Sequence, residues 1–245
     1  MRLFVLPHIV DPDRTPCFPA HLHPDRHGLV AVGGNLSEPV LLEAYSRGIF
    51  PWFDQPPLMW YSPDPRMVLY PGDYNAPERL ARVVRQGRFG VAFDRDFARV
   101  MGGCASVPRP GQEGTWITQP FVDAYTHLHE AGYVHCVSVY RDGALAGGLY
   151  GLSLGRVFCG ESMFSLEPNA SKVALFHLVR WITAKGFAFI DCQAPTRHLA
   201  SLGAVQIGRR RFLAELESAL QAPTLRGSWT AEAEALLGLQ GPDRG

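Results

Sequence analysis

Residues 135–161 read HCVSVYRDGALAGGLYGLSLGRVFCGE, and their pattern predicts the centre of the fold. The apolar run 135–140 is followed by Arg141-Asp142-Gly143, in which Asp-Gly is a strong signal for a tight turn between antiparallel strands. Two further apolar runs lie near 144–153 and 155–161. The stretch therefore predicts a three-stranded antiparallel meander.

The segments on either side of the meander predict helices and one more strand. Upstream, 119–131 has a helical pattern. Downstream, a helix is expected from near Asn169 to about Lys185, and its apolar residues lie nearly all round, which indicates burial. A short buried strand follows at 187–191 and a last helix at 212–220. This order of elements predicts an α+β fold with a central mixed β-sheet.

The N-terminal part differs in composition and is expected to form a separate unit. Residues 1–65 are rich in proline and aromatic residues, with one clear helix between Ser37 and Gly48. The run 49–65, IFPWFDQPPLMWYSPDP, contains five prolines and is predicted to be an irregular loop that joins two units. We expect a small N-terminal domain at 1–65 and a larger second domain at 66–245.

The composition excludes several classes of protein. The 245 residues are 47% hydrophobic with a formal net charge of zero, so any contact with nucleic acid must come from a local basic patch. The five cysteines are scattered without a C-x-x-C pair, which favours a reducing cytoplasm. No apolar run is long enough to predict a membrane span. No metal site is expected, since His21, His23 and His27 lie in a proline-rich stretch with no added carboxylate beyond Asp25.

Two polar segments lie at the ends of predicted strands. The segment 160–165, GESMFS, ends the third meander strand, and 190–193, IDCQ, ends the strand after the buried helix. Each places a carboxylate, Glu161 or Asp191, directly after an apolar run. Such a carboxylate is either a solvated strand terminus or a residue that lines a cleft. Position alone leaves both interpretations open.

Nine segments together resemble the leucyl/phenylalanyl-tRNA–protein transferase family, in the order and spacing of that family. They are 33–36 (GGNL), 47–52 (RGIFPW), 60–66 (WYSPDPR), 114–118 (GTWIT), 147–151 (GGLYG), 160–165 (GESMFS), 170–172 (ASK), 190–193 (IDCQ) and 198–204 (HLASLGA). The chain departs from the family at 70–74, YPGDY, where a more basic segment is usual.

The resemblance implies a fold and a reaction. The fold is a small N-terminal domain followed by a GNAT-like acyltransferase domain. In the reaction, the ester of Leu-tRNA or Phe-tRNA is attacked by the α-amino group of an acceptor protein that begins with Arg or Lys, which marks the acceptor for degradation by the N-degron pathway. The ester is already activated, so no cofactor is expected, and the sequence has no G-x-x-x-x-G-K-[ST] loop. A monomer is expected in the cytoplasm.

The catalytic hypothesis gives Asp191 and Gln193 the central role. Side chains alternate along an extended segment, so the two would face the same side. Asp191 would attract the ammonium group of the acceptor and, with Gln193, orient the amine and assist its loss of a proton. Glu161 would hold the amino group of the transferred residue or the cationic side chain of the acceptor. No serine or cysteine with an adjacent base is evident, which favours direct attack.

The resemblance also implies the residues that bind the charged end of the tRNA. The aminoacyl side chain would lie among Leu149, Met163, Leu178 and Ile190. The terminal adenosine would be surrounded by Tyr45, Trp52, Trp116 and Tyr125, since aromatic faces stack on bases. Ordinary core positions remain an alternative for Leu149, Leu178 and Tyr45.

Contact with the tRNA backbone is expected from arginines at intervals of three residues. If 77–86 is helical, they form one basic stripe that suits phosphate contacts. A solvated helix face would give the same pattern. The four residues are Arg79, Arg82, Arg85 and Arg88.

Two other functions remain as alternatives. An acyl-CoA-dependent N-acetyltransferase would share the fold, but its pyrophosphate normally lies on a glycine-rich loop. The turn at 166–171, LEPNAS, has no glycine, and Glu167 would repel phosphate. A non-catalytic tRNA-binding module would not need Glu161, Asp191 and Gln193 together.

Overall fold

The computed structural model describes residues 4–6, 18, 21, 23–52, 57–107 and 117–239. The helices are α1 (Glu38–Ser46), α2 (Glu78–Arg85), α3 (Phe97–Ser106), α4 (Gln119–Glu130), α5 (Ala170–Ala184), α6 (Arg197–Ala200), α7 (Arg209–Ala219) and α8 (Thr230–Leu237). The strands are β1 (Phe4–Leu6), β2 (Leu29–Gly33), β3 (Phe50–Pro51), β4 (Met59–Tyr61), β5 (Arg66–Leu69), β6 (Gly90–Phe93), β7 (Val134–Arg141), β8 (Ala144–Leu154), β9 (Val157–Ser165), β10 (Phe189–Gln193) and β11 (Val205–Ile207).

The described strands form two sheets. A small sheet has the order β1-β2-β4-β3, and a large sheet has the order β11-β5-β10-β9-β8-β7-β6. In the large sheet β10 pairs with β9 in parallel, while the other neighbouring strands are antiparallel. The predicted α+β class with a central mixed sheet is therefore confirmed.

The meander predicted from 135–161 is confirmed as β7, β8 and β9. Asp142 and Gly143 both have positive φ, 51° and 75°, which is the backbone of the turn that matches the twist of a hairpin. The third strand is longer than predicted, because β9 continues through the GESMFS segment to Ser165. Glu161 therefore lies within a strand and not at its end.

The helix predicted after the meander is confirmed as α5, and it is buried on most sides. It packs on β7 and β8, and its Trp181 is fully buried against Phe93. Gly186, with φ of 68°, follows the helix and turns the chain into β10. The predicted helix at 119–131 is confirmed as α4.

The prediction of an irregular loop at 49–65 was wrong. β3 and β4 both lie in this run and pair with each other at Phe50↔Tyr61 and Pro51↔Trp60. Pro51 is tolerated because β3 is the edge strand of the small sheet. Trp60 is fully buried and donates from Nε1 to the carbonyl of Gly33 at 2.9 Å, so tertiary packing outweighs the local proline signal.

The prediction that the helix at 212–220 is the last was also wrong. α7 begins earlier, at Arg209, and α8 follows it. α8 packs on the edge strand β6 and on α5. In the described part of the chain, no helix is long and apolar enough to cross a membrane.

The expected division at residue 65 stays a prediction. One buried cluster contains residues from both sides of this position, including Tyr45 and Trp60 on one side and Tyr125 and Phe212 on the other. The two parts therefore share a continuous apolar core where they meet.

Candidate active site

A cavity of about 420 Å³ lies between the large sheet, α5, α6 and the end of the small sheet. This volume is typical of small-molecule sites. Its lining residues are Phe50, Pro51, Trp52, Leu149, Tyr150, Phe158, Gly160, Glu161, Ser162, Met163, Leu175, Leu178, Ile190, Cys192, Gln193, Ala194, Thr196 and Leu199.

The cavity exists because β9 and β10 separate. The two strands pair in parallel from Phe189↔Val157 to Asp191↔Cys159, and no pair follows. β9 continues along β8 to Ser165, whereas β10 has an irregular register against β5 between Asp191 and Gln193. The segments after Cys159 and Asp191 therefore line an opening in the sheet.

The interior of the cavity is apolar. It brings together the four residues proposed for the aminoacyl side chain, which come from four different elements: Leu149 from β8, Met163 from β9, Leu178 from α5 and Ile190 from β10. Other lining residues are not predictable from the sequence, because their apolar pattern does not distinguish a cavity wall from a filled core. The apolar residues missed in this way include Phe50, Phe158, Leu175, Cys192 and Leu199.

Glu161 is the one carboxylate among the described residues that line the cavity. Tyr45 donates its hydroxyl hydrogen to Oε1 of Glu161 at 2.7 Å, and Nε2 of Gln193 donates to the same oxygen at 2.8 Å. The pKa of Glu161 is raised from 4.5 to about 7, mainly by burial. The hydrogen bonds from Tyr45 and Gln193 offset part of this rise. Glu161 therefore changes its charge near neutral pH.

Gln193 does not follow the regular alternation expected for 191 and 193. Its φ is 61°, in the left-handed region, and the register of β10 against β5 shifts between Asp191 and Gln193. A bulge of this kind redirects side chains. The assumption of a regular strand was wrong, and the bulge turns the amide of Gln193 towards Glu161.

Asp191 is buried and does not line the cavity, in contrast to Gln193. Its carboxylate accepts two hydrogen bonds from Arg66, Nε to Oδ1 at 2.8 Å and Nη2 to Oδ2 at 2.6 Å. Oδ1 also accepts the backbone N–H of Gln193 at 2.9 Å. In this structure Asp191 therefore contacts the cavity through Gln193.

The aromatic residues proposed for adenosine differ in position. Trp52 lines the cavity, is 49% exposed and makes a T-shaped ring contact with Tyr61. Tyr45 and Tyr125 are buried, and their hydroxyls are hydrogen-bonded to each other beside Glu161. Their contact with the site is therefore through these hydroxyls. Trp116 lies outside the described residues.

The proposed basic stripe lies on α2 and just after it. Leu80 is buried on one side of α2, and the helix packs on α5. In the described part of the chain, none of the four arginines pairs with a carboxylate, and all four are exposed: Arg79, Arg82, Arg85 and Arg88.

The cysteine in the cavity wall is not an activated nucleophile. Cys192 lines the cavity, but burial raises the pKa of its thiol, and its Sγ contacts the carbonyl of Ile190 at 3.8 Å, not a base. The described residues contain no group of three or more His, Cys, Asp or Glu that could hold a metal.

The cavity is apolar, with one carboxylate and one amide at its polar side, and such a site is suited to an apolar group that carries a polar end. Sequence comparison identifies the family of the chain. The family model of leucyl/phenylalanyl-tRNA protein transferases matches residues 68–217, and the model of the N-terminal domain of these transferases matches 34–64. The chain belongs to the leucyl/phenylalanyl-tRNA–protein transferase family.

Curated relatives support this assignment. The leucyl/phenylalanyl-tRNA–protein transferase of Maridesulfovibrio salexigens is 52% identical over 219 residues, covering 87% of this chain and 90% of the relative. That of Myxococcus xanthus is 49% identical, covering 89% and 94%. Among solved structures, an aminoglycoside acetyltransferase from a soil metagenomic sample is 13% identical with a TM-score of 0.37, covering 48% of this chain and 84% of that one.

Proposed function

We propose that the protein transfers leucine, and also phenylalanine, from charged tRNA to the N-terminal α-amino group of acceptor proteins that begin with Arg or Lys, and so marks them for degradation. The observation that supports this proposal best is the hydrogen-bonded pair of Glu161 and Gln193 beside the apolar cavity. The cavity would hold the aminoacyl side chain, and the pair would meet the acceptor amine. Charged tRNA is a cytoplasmic substrate, and we place the reaction there, carried out by a monomer.

The apolar interior supports the choice of leucine or phenylalanine. Burial of such a side chain contributes roughly 1.5–3 kcal/mol, whereas a polar side chain would lose its hydrogen bonds with water in this environment. Trp52, which is exposed beside the cavity, is placed to stack on the terminal adenosine.

The proposed chemistry is direct aminolysis of the ester. Glu161 attracts the incoming ammonium and receives one proton from it, which leaves a neutral amine. The amine nitrogen then forms a bond to the ester carbonyl carbon, and the bond from that carbon to the ribose oxygen breaks. The ribose oxygen leaves with the second proton that the nitrogen loses. With Nε2 of Gln193 bound to Glu161, the carbonyl oxygen of the Gln193 amide is left to accept a hydrogen bond from the amine.

This scheme differs from the catalytic hypothesis in the role of Asp191. Its carboxylate is buried against Arg66, so Glu161 is the carboxylate that a substrate can reach. Asp191 would act on the reaction through Gln193. The cationic side chain of an acceptor would also lie near Glu161 before the amine loses its proton.

The basic stripe of α2 would hold the tRNA backbone. α2 packs on α5, and α5 contributes Leu175 and Leu178 to the cavity. A tRNA whose charged end lies in the cavity would then have phosphates within reach of the exposed arginines, which supports the proposal for this surface.

The decisive assay measures transfer of labelled leucine from charged tRNA to short peptides that begin with Arg, Lys, Asp or Glu. We expect product with the Arg and Lys peptides and none with the Asp and Glu peptides. Acetyl-CoA, added in place of charged tRNA, should give no modified peptide and no rise in melting temperature. Equal transfer to all four peptides would contradict the acceptor specificity, and acetylation would contradict the reaction.

A further inference from the structure

Arg66 is held in a fixed orientation by three different elements. It is the first residue of β5 and is 1% exposed. Its guanidinium carbon lies 4.8 Å from the ring centre of Phe50, on β3, and 4.5 Å from that of Phe212, on α7. Cation–π contacts at these distances attract the guanidinium to both rings. The orientation of Arg66 therefore depends on the small sheet and on α7 as well as on its own strand.

The ion pair of Arg66 with Asp191 is not explained well by stability. The contact is bidentate, but Nη1 of Arg66 is buried and has no hydrogen-bond partner among the described residues. A buried donor without a partner is unfavourable, and apolar side chains often replace a buried ion pair without loss of stability. The ion pair is better explained by the contact of the Asp191 carboxylate with the backbone of Gln193.

Asp191 holds the backbone of Gln193. Its Oδ1 accepts the Gln193 N–H at 2.9 Å in addition to Nε of Arg66. Gln193 has a φ of 61°, a conformation that is unfavourable for a residue with a side chain and persists only where the surroundings enforce it. The hydrogen bond from the Gln193 N–H to Asp191, which is itself paired with Arg66, is one such constraint. The side chain of Gln193 can then reach Glu161 at 2.8 Å.

We infer that Arg66 is a positioning residue, which fixes the reacting amide of Gln193 through Asp191. The inference deepens the proposed function and rests on it. Arg66 does not line the cavity, so it acts without touching substrate. Loss of the pair should therefore lower kcat and leave KM for charged tRNA nearly unchanged. A displacement of about 1 Å in a reacting group can cost roughly 10²-fold in rate.

The experiment compares Arg66→Met, Asp191→Asn and the double variant in the leucine-transfer assay. Arg66→Met alone leaves a buried carboxylate without its partner and can fail to fold. The double variant is uncharged at both positions and is the decisive protein. We expect the kcat of the double variant to fall about 10²-fold, which is no more than the fall in Asp191→Asn alone. Its KM for Leu-tRNA should stay within about twofold of that of the unsubstituted protein. Arg66→Lys keeps the charge but not the bidentate contact, and it should give an intermediate kcat.

Arg156→Met is the matched control. Arg156 also lies over an aromatic ring, that of Phe187, and donates to the carbonyl of Pro223, but it does not line the cavity. Its kcat should equal that of the unsubstituted protein. A folded Arg66→Met/Asp191→Asn protein with kcat within about twofold of the unsubstituted protein would overturn the inference.

A second measurement does not depend on activity. The side-chain amide of Gln193 should give one sharp pair of signals in a ¹⁵N–¹H NMR spectrum of the unsubstituted protein, because it is fixed on Glu161. In the folded double variant the pair should broaden or shift. Unchanged Gln193 signals in the folded double variant would refute the positioning role, even if no acceptor were found. If the signals change but the unsubstituted protein transfers no leucine, only the proposed function is refuted.

Discussion

Glu161 carries a prediction about the dependence of stability on pH. Its folded-state pKa is raised from 4.5 to about 7 by burial, so the folded protein holds a proton that the unfolded chain has already lost. The free energy of unfolding should therefore fall as pH rises from about 4.5 to about 7. Glu161→Gln removes this fall in the free energy of unfolding, because glutamine carries no titratable carboxyl group. Its melting temperature, relative to the unsubstituted protein, should be higher at pH 8 than at pH 5.

The control for this prediction is Glu217→Gln, which changes an exposed carboxylate on α7. It should shift the melting temperature equally at both pH values. If the shift caused by Glu161→Gln were also the same at pH 5 and pH 8, Glu161 would not titrate with a raised pKa.

Leu178 carries a prediction about substrate choice. It lines the cavity from α5, and phenylalanine at this position would reduce the space for an aromatic aminoacyl group more than for leucine. Leu178→Phe should lower kcat/KM for Phe-tRNA relative to Leu-tRNA by roughly tenfold or more, measured with both in competition. The control Leu166→Phe alters an exposed residue that does not line the cavity, and it should leave the ratio unchanged.

At the scale of elements, the exposed arginines of α2 lead us to predict how the affinity for tRNA depends on salt. The combined change of Arg79, Arg82 and Arg85 to Gln keeps helix propensity but removes three exposed charges. The affinity for tRNA should fall, and the slope of log K against log salt should decrease by roughly 1 for each phosphate that is no longer neutralised. The affinity is measured by titration at several salt concentrations. An unchanged slope would exclude α2 from the tRNA interface. Arg99→Gln, on α3, is the control, since Arg99 is exposed but paired with Asp96.

At the scale of the whole molecule, Trp229 fixes the C-terminal helix to the core. Its ring stacks on His135 at 3.5 Å and lies near Trp181, and its backbone N–H donates to Asp94 at 2.7 Å. Trp229→Ala should lower the free energy of unfolding by about 3–5 kcal/mol, measured by denaturant titration, with kcat unchanged in the folded protein. Leu236→Ala, at an exposed position of α8, should change it by less than about 0.5 kcal/mol. A loss of kcat in folded Trp229→Ala would instead connect α8 to the site.

Elements whose signal is local could be predicted from the amino-acid sequence. The Asp142-Gly143 turn, the meander and the buried helix α5 follow from turn chemistry and from the spacing of apolar residues, which act over a few neighbours in the chain. The ordered segments also indicated the family. The residues proposed for the aminoacyl pocket were named in this way, and the structure places Leu149, Met163, Leu178 and Ile190 around one cavity.

The contacts that join distant segments are seen in the tertiary structure and could not be predicted from the sequence. The proline-rich run forms β3 and β4 because Trp60 is buried against Gly33, which local propensity does not show. The ion pair between Arg66 and Asp191 joins β5 to β10, with β3 and α7 packed on the guanidinium. The register shift at Gln193 directly follows Asp191. Such packing is set by the whole core, so the sequence could name Asp191 but could not show that it is buried beside Arg66 and not in the cavity.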